Sequence, residues 1–223
     1  NMRFVAKRAQ TTTLADKSGW ELWGGNSATN YCAVNTPNAA GNHNNSVSVW
    51  TTDATAALNT WSHFALVIDR ASGKMYEYLN GVEKATSGTK DISTWACNNE
   101  NDVIVGAGIS GTYPTQTIIQ YFNGKIDNLR IYKRALSATE LQEDMTSVVT
   151  ASTTGLVAAY NFENINGTTV EDITGNHPGT LINFPVQGPV MVAGASVAQD
   201  ANFTGRGSKN EVVLKAAFTT PAT

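Results

Sequence analysis

Phe122-Asn-Gly124-Lys-Ile-Asp127-Asn-Leu-Arg130-Ile-Tyr132-Lys-Arg134-Ala-Leu-Ser137-Ala-Thr-Glu140-Leu141 is the stretch on which the fold turns. Strand-like residues from Thr117 to Phe122 run into Asn123-Gly124, a two-residue hairpin signal, and a second strand is expected over Lys125 to Tyr132. Ser137-Ala-Thr-Glu140 then has the form of a capping box. The Ser137 hydroxyl is placed to accept from the third helical N–H, and the Glu140 carboxylate to reach back. Leu141 and Met145, four apart, give a short apolar stripe, so a helix of about two turns is expected.

Reading outward toward the N-terminus, Trp61-Ser-His-Phe-Ala-Leu-Val-Ile-Asp69 alternates. Phe64, Leu66 and Ile68 fall on one face and His63, Ala65 and Val67 on the other, which predicts a central strand covered on both sides. Asp69 to Gly73 reads as a turn, Lys74 to Leu79 as a strand, Asn80-Gly81 as a hairpin and Val82 to Ala85 as the return. Asp102 to Gly106 adds another strand. Toward the C-terminus, Thr146 to Thr154 is the best linker candidate, with strands expected at Leu156–Phe162, Gly179–Ile182, Ser196–Phe203 and Asn210–Lys215.

Composition agrees with an all-β chain. The 223 residues include 22 Asn and 19 Gly, the residues of polar turns between short strands. Charged residues make up only 15%, with 15 Lys+Arg against 18 Asp+Glu and a net charge of −3, and no basic stripe argues for a nucleic-acid partner. The longest apolar run, Val190 to Ala198, is interrupted by Gly194 and Ser196 and is too short to span a bilayer. The chain begins at Asn1 without a signal-like segment and reads as mature or excised. Cys32 and Cys97 would close a loop of about 65 residues, worth about 4 kcal/mol if bridged; two free buried thiols are the alternative.

Two blocks resemble a known family. The quoted stretch is similar to the closing strand and helix of LamG-like jelly-roll domains of the concanavalin A-like lectin/glucanase superfamily. Gly155-Leu-Val-Ala-Ala-Tyr-Asn-Phe-Glu163, with Gly167 to Asn176 and Gly179-Thr-Leu181, is similar to the family's opening. Trp61-Ser-His-Phe-Ala and Leu79-Asn-Gly81-Val resemble its middle hairpin. The resemblance spans roughly residues 3 to 205 and implies an antiparallel two-sheet β-sandwich with one short helix.

The order of the blocks is inverted, since the opening lies C-terminal to the closing. Either residues 1–145 and 155–223 are parts of two tandem domains, or they are complementary pieces of one sandwich joined by 146–154. The complementary arrangement is favoured, because a severed sandwich would leave an apolar face uncovered. It would still lack about one strand before Phe4, a gap that another chain's strand could fill.

The resemblance further implies a calcium site at Asp127 and Asp172, with Asn176 next, in the loop Glu171-Asp172-Ile-Thr-Gly175-Asn176. Carboxylates, an amide and loop carbonyls are the hard oxygen donors that Ca²⁺ takes. The competing reading has Asp172 capping a turn and Asp127 pairing with Arg130 or Arg134. Among aromatics, Trp61 (by resemblance), Trp20 and Trp23 read as packing. Trp95 and Tyr113 in polar loops, with Asn98, are the candidates for stacking on a sugar and holding its hydroxyls. Glu140, Glu143 and Asp144 read as the helix's solvated face. No strand carries the alternating acids of the superfamily's hydrolases, and no nucleophile or zinc motif occurs, so the sequence does not read as an enzyme.

These readings converge on an extracellular, calcium-stabilised, non-catalytic recognition or adhesion module for polysaccharide or glycan. The competing expectations are a structural subunit self-associating by strand exchange and an accessory fragment of a secreted polysaccharide-degrading enzyme.

Overall fold

The computed structural model describes residues 2–7, 9–10, 19–24, 30–36, 45–51, 60–89, 92, 101–111, 114–182, 190–192, 202–204 and 211–214. Among these residues there is a single helix, Ala138–Asp144, and every strand pairing but one is antiparallel. The architecture is an all-β sandwich.

The larger layer is a nine-stranded sheet. Its order is Ile165–Asn166, Thr169–Val170, Gly179–Ile182, Glu211–Leu214, Val103–Val105, Met2–Ala6, Gly19–Gly24, Asn30–Thr36 and Asn45–Thr51. Strands from both sides of the 146–154 stretch therefore share one sheet, the four C-terminal strands side by side and joined to the five N-terminal ones where Glu211–Leu214 meets Val103–Val105. The facing layer is built from Phe64–Asp69, Lys74–Leu79 and Val82–Thr86, together with the pair Leu129–Tyr132 and Leu156–Tyr160. In that pair Leu129 lies opposite Tyr160 and Ile131 opposite Ala158, so the closing-type strand is bonded to the opening-type strand.

Packing between the layers follows from alternation along each strand. Val5, Val103 and Val105 of the large sheet meet Ala158, Tyr160 and Phe162 of the facing layer, with Val170 and Leu181 in the same cluster. Met75 and Ile92 form a second cluster with Trp20, Leu22, Phe64, Leu66 and Ile68. Ile104, pointing the other way from its neighbours, packs with Ala107, Ile109 and Ile118 beneath the small sheet Ala9–Gln10, Gly108–Ser110 and Thr117–Ile119. On the large sheet, the buried Arg3 donates from Nε to Glu21 Oε2 at 2.9 Å, and its guanidinium lies 4.8 Å from the centre of the Trp23 ring.

Several expectations meet this structure directly. The Phe64–Asp69 strand is covered on both faces: Phe64, Leu66 and Ile68 pack inward, while Ala65 and Val67 lie against Leu136 and Leu141 of the helix region. It is not central, however. Among the described residues it is an edge strand of its three-stranded sheet, because sheet order depends on long-range pairing that alternation does not encode. Asn80-Gly81 is a tight turn with both φ values positive, 51° and 72°. Asn123-Gly124 is not a hairpin, since Thr117–Ile119 pairs with Gly108–Ser110 and Leu129–Tyr132 pairs with Leu156–Tyr160. Glycine at 124 serves packing instead, because a Cβ there would sit 2.5 Å from the Phe122 ring.

The capping box is present in full. Glu140 N–H donates to Ser137 Oγ at 3.2 Å, and Ser137 N–H to Glu140 Oε2 at 2.8 Å. The 146–154 stretch is a folded turn: Thr153 N–H donates to the Thr150 carbonyl at 2.9 Å, and Val149 is buried. No helix among the described residues is long and apolar enough to cross a membrane.

Candidate functional site

The expected site loop is organised around Asp172, which is 2% exposed. Its Oδ1 accepts from the N–H of Ala159 at 2.8 Å and of Thr174 at 3.2 Å. Its Oδ2 accepts from the N–H of Asn176 at 3.2 Å, the N–H of His177 at 3.0 Å and the Thr174 hydroxyl. A carboxylate offers about four lone-pair positions, and five donors converge on this one. This is the turn-capping arrangement that competes with the calcium expectation for Asp172. Its observed role is that of a turn cap, tying the 172–177 loop to the Leu156–Tyr160 strand.

Asp127 Oδ1 accepts from the Asn128 N–H at 2.7 Å. Arg130 and Arg134 have other carboxylate partners: Arg130 binds Asp144 at 2.9 Å and Arg134 binds Glu140 at 2.7 Å. The Arg134 pair is half-exposed and contributes little. The Arg130 pair is largely enclosed, and Arg130 also donates to the carbonyls of Asp144 and Ser147, while Tyr132 donates its hydroxyl to Asp144 Oδ1. Asp144 is thus not part of a solvated face. It bonds residues twelve and fourteen positions upstream, a distance at which helical periodicity is silent. His63 lies within electrostatic reach of this pair, and burial holds its imidazole below the usual histidine range.

The other candidates fall differently. Asn176 donates from its side chain to Thr174 Oγ1 at 3.4 Å and stays exposed. Trp95, Asn98, Tyr113 and Cys97 lie outside the described residues, so the sugar-stacking assignment and the Cys32–Cys97 bridge do too. Trp61, read as packing, is 38% exposed and is one of the large apolar side chains that reach the surface, with Val82 and Val148. Among the described residues no group of three or more His, Cys, Asp and Glu side chains converges.

The sequence neighbours of Asp127 and Asp172 do meet. Asn128 and Ile173 line one shallow surface concavity, of about 20 Å³, together with Arg130, Ser147, Val148 and Asn161. Sequence reading passed over Asn128 and Asn161. The available signal was Asn in a chain position preceding a strand, where a short amide side chain tolerates left-handed backbone; Asn128 has φ 49°.

A family model described as the concanavalin A-like lectin/glucanases superfamily matches residues 3–142. The chain belongs to that superfamily. The match ends inside the helix, so the 155–182 block lies beyond it. No curated protein sequence matches the chain significantly. Among solved structures it is similar to a "putative carbohydrate binding protein" from Bacteroides ovatus, with 21% identity and a TM-score of 0.53. The alignment covers 81% of this chain and 48% of that one, so the chain spans about half the length of its structural neighbour. At that identity the likeness is one of fold.

Proposed function

We propose that this superfamily member is a non-catalytic carbohydrate-binding module that works outside the cell. The observation that carries the reading is the superfamily match over 3–142, supported by a fold shared with a protein named for carbohydrate binding. The low charge and the Asn- and Gly-rich turns are consistent with an extracellular setting. Non-catalytic action is supported by the engagement of four of the acids. Glycoside hydrolysis needs two carboxylates free to flank the bond. Here Asp172 caps a turn, Asp144 and Glu140 pair with arginines, and Glu21 pairs with Arg3. Calcium is not required by this reading.

The test is native affinity electrophoresis of the full chain through gels containing xylan, mannan, starch or hydroxyethylcellulose, with a reducing-end assay on the same polysaccharides. Retardation by at least one polysaccharide without release of reducing ends is expected. Release of reducing ends, or free migration through every gel, would overturn the proposal.

A further inference from the structure

We infer that the outward face of the strands Gly19–Gly24, Asn30–Thr36 and Asn45–Thr51 is the module's glycan platform, with Trp23, Tyr31 and Trp50 as its stacking row and a neutral polysaccharide chain as its ligand. This inference rests on the carbohydrate-binding reading above and gives it a place and a ligand charge.

Register carries the argument. Residues directly opposite one another in a sheet share a face, and successive residues along a strand alternate between faces. Trp20 and Leu22 pack into the core between the layers, so theirs is the inward face. The pairings set Trp20 beside Val34 and Val47, and Leu22 beside Cys32 and Val49, all apolar. The outward face therefore takes Gly19, Asn35 and Ser46 in one row, Glu21, Ala33 and Ser48 in the next, and Trp23, Tyr31 and Trp50 in the third. The first two rows read as an ordinary solvent face, small and polar. The third does not, since each of three neighbouring strands places an aromatic residue there, on the side of the sheet away from the core. Arg3 extends this row into a fourth strand: it lies opposite Trp23, with its guanidinium 4.8 Å from the centre of that ring. Toward the middle of the sheet the same face is covered by the small sheet, which packs over Ile104 and comes up against Arg3, where a Cβ on Gly108 would sit 2.9 Å from the arginine Cγ. From that boundary the aromatic row runs outward to Asn45–Thr51, the last strand of the sheet among the described residues.

The chemistry of the rows suits a sugar chain. A pyranose has a C–H face that stacks on aromatic rings and a rim of hydroxyls that both donate and accept, and Asn35, Ser46 and Ser48 bring amide and hydroxyl groups to the face that carries the aromatic row. Neighbouring strands lie about 4.8 Å apart, so the row from Trp23 to Trp50 runs roughly 10 Å, the reach of about two linked sugar rings. A sheet face is a platform and not a pocket, so it takes a stretch of polysaccharide lying across the strands. Charge selects the class. Among these positions only Glu21 is charged at neutral pH; it is 2% exposed and accepts from Arg3, itself 3% exposed, at 2.9 Å. The rows place no exposed cation where a uronate or sulfate would need one, so a neutral glycan fits and an anionic one does not.

The experiment is isothermal titration of the full chain with cellohexaose, xylohexaose, mannohexaose, maltohexaose and oligogalacturonate, for the parent and four variants. Tyr31→Thr and Trp50→Thr each remove one ring while keeping a residue suited to a strand. Ser48→Arg leaves every ring in place and sets a long side chain in the adjoining row, so it tests the face even if a ring proves necessary for folding. Trp61→Ala probes the 38% exposed tryptophan outside this face as a rival site. For whichever neutral oligosaccharide binds the parent, Tyr31→Thr, Trp50→Thr and Ser48→Arg are each expected to weaken affinity about tenfold. Their melting temperatures should stay within about 4 °C of the parent. Parental affinity in the folded variants of this face, loss only in Trp61→Ala, or a parent that prefers oligogalacturonate would overturn the platform and leave the carbohydrate reading standing. A parent that binds none of these sugars overturns both.

Discussion

Glu77 shows how much a single residue can impose on the molecule. It shares the inward face of its strand with Met75 and Leu79, is 0% exposed, and neither carboxylate oxygen has a hydrogen-bond partner. Across the sheet it faces Leu66 on one side and Ala85 on the other, which give a charge no compensation. Burial pushes its carboxyl up to about 7 from an ordinary 4.5, so the acid is held neutral in the fold over a range where the unfolded chain ionises it. The folded state therefore binds the extra proton. Its contribution is fully present below about pH 4.5, declines as pH rises toward 7, and is gone above that. Glu77→Met, which fills similar volume without a charge, is expected to be more stable than the parent at pH 8 by on the order of 2–3 kcal/mol. The advantage should shrink toward pH 5. Urea denaturation at both values checks this, and parallel profiles for parent and variant would refute it. A strand pattern that places a Glu on the apolar face is visible in the sequence, but that no partner reaches it is not, because the partner would have come from elsewhere in the chain.

At the level of elements, what could be read from the sequence was what neighbours in sequence decide. Ser137 and Glu140 cap the helix through atoms three residues apart, and Asn80-Gly81 closes its turn unaided. Asn123-Gly124 has the same letters and does a different job, since the aromatic ring beside it dictates the glycine. Likewise the alternation in Phe64–Asp69 foretold two covered faces but not an edge position. The site was legible only in outline: Asn128 and Ile173, the sequence neighbours of Asp127 and Asp172, line one concavity, which the reading of those two acids did not foresee. The 172–177 loop gives the matching experiment. Because five donors converge on Asp172, Asp172→Ala is expected to cost about 3 kcal/mol, or roughly 6–12 °C in melting temperature. The loss should be equal in calcium and in chelator, as measured by thermal unfolding in both buffers. A loss seen only with calcium would show that the carboxylate ligates the ion and would displace the turn-cap account.

For the whole molecule, we propose that residues 155–223 complete the sandwich begun by residues 1–145. The reading is supported by the pairing of Leu129–Tyr132 with Leu156–Tyr160, and of Val103–Val105 with both Met2–Ala6 and Glu211–Leu214. The 1–145 piece alone would lack Ala158, Tyr160, Phe162, Val170 and Leu181, five members of the principal core cluster. It is expected to show no cooperative thermal transition by circular dichroism. A sharp melt near that of the full chain would instead favour tandem domains. The sandwich and the joining of its blocks were both expected from the blocks themselves, whereas the register was not, since it rests on pairings from about thirty residues apart, Leu129 with Tyr160, to more than a hundred, Val105 with Val212.

The place of Glu211–Leu214, between Gly179–Ile182 and Val103–Val105, also bears on how the protein is made. An interior slot of the sheet is filled by a segment that a ribosome delivers after nearly everything around it. Until residue 214 emerges, Val103–Val105 and Gly179–Ile182 each present a bare row of peptide groups, the kind of edge that recruits stray strands. Closing it demands contacts distant in sequence, which form slowly. A nascent chain of this design is most exposed to aggregation just before residues 211–214 emerge, when the strands on either side already exist and the one that seals them does not.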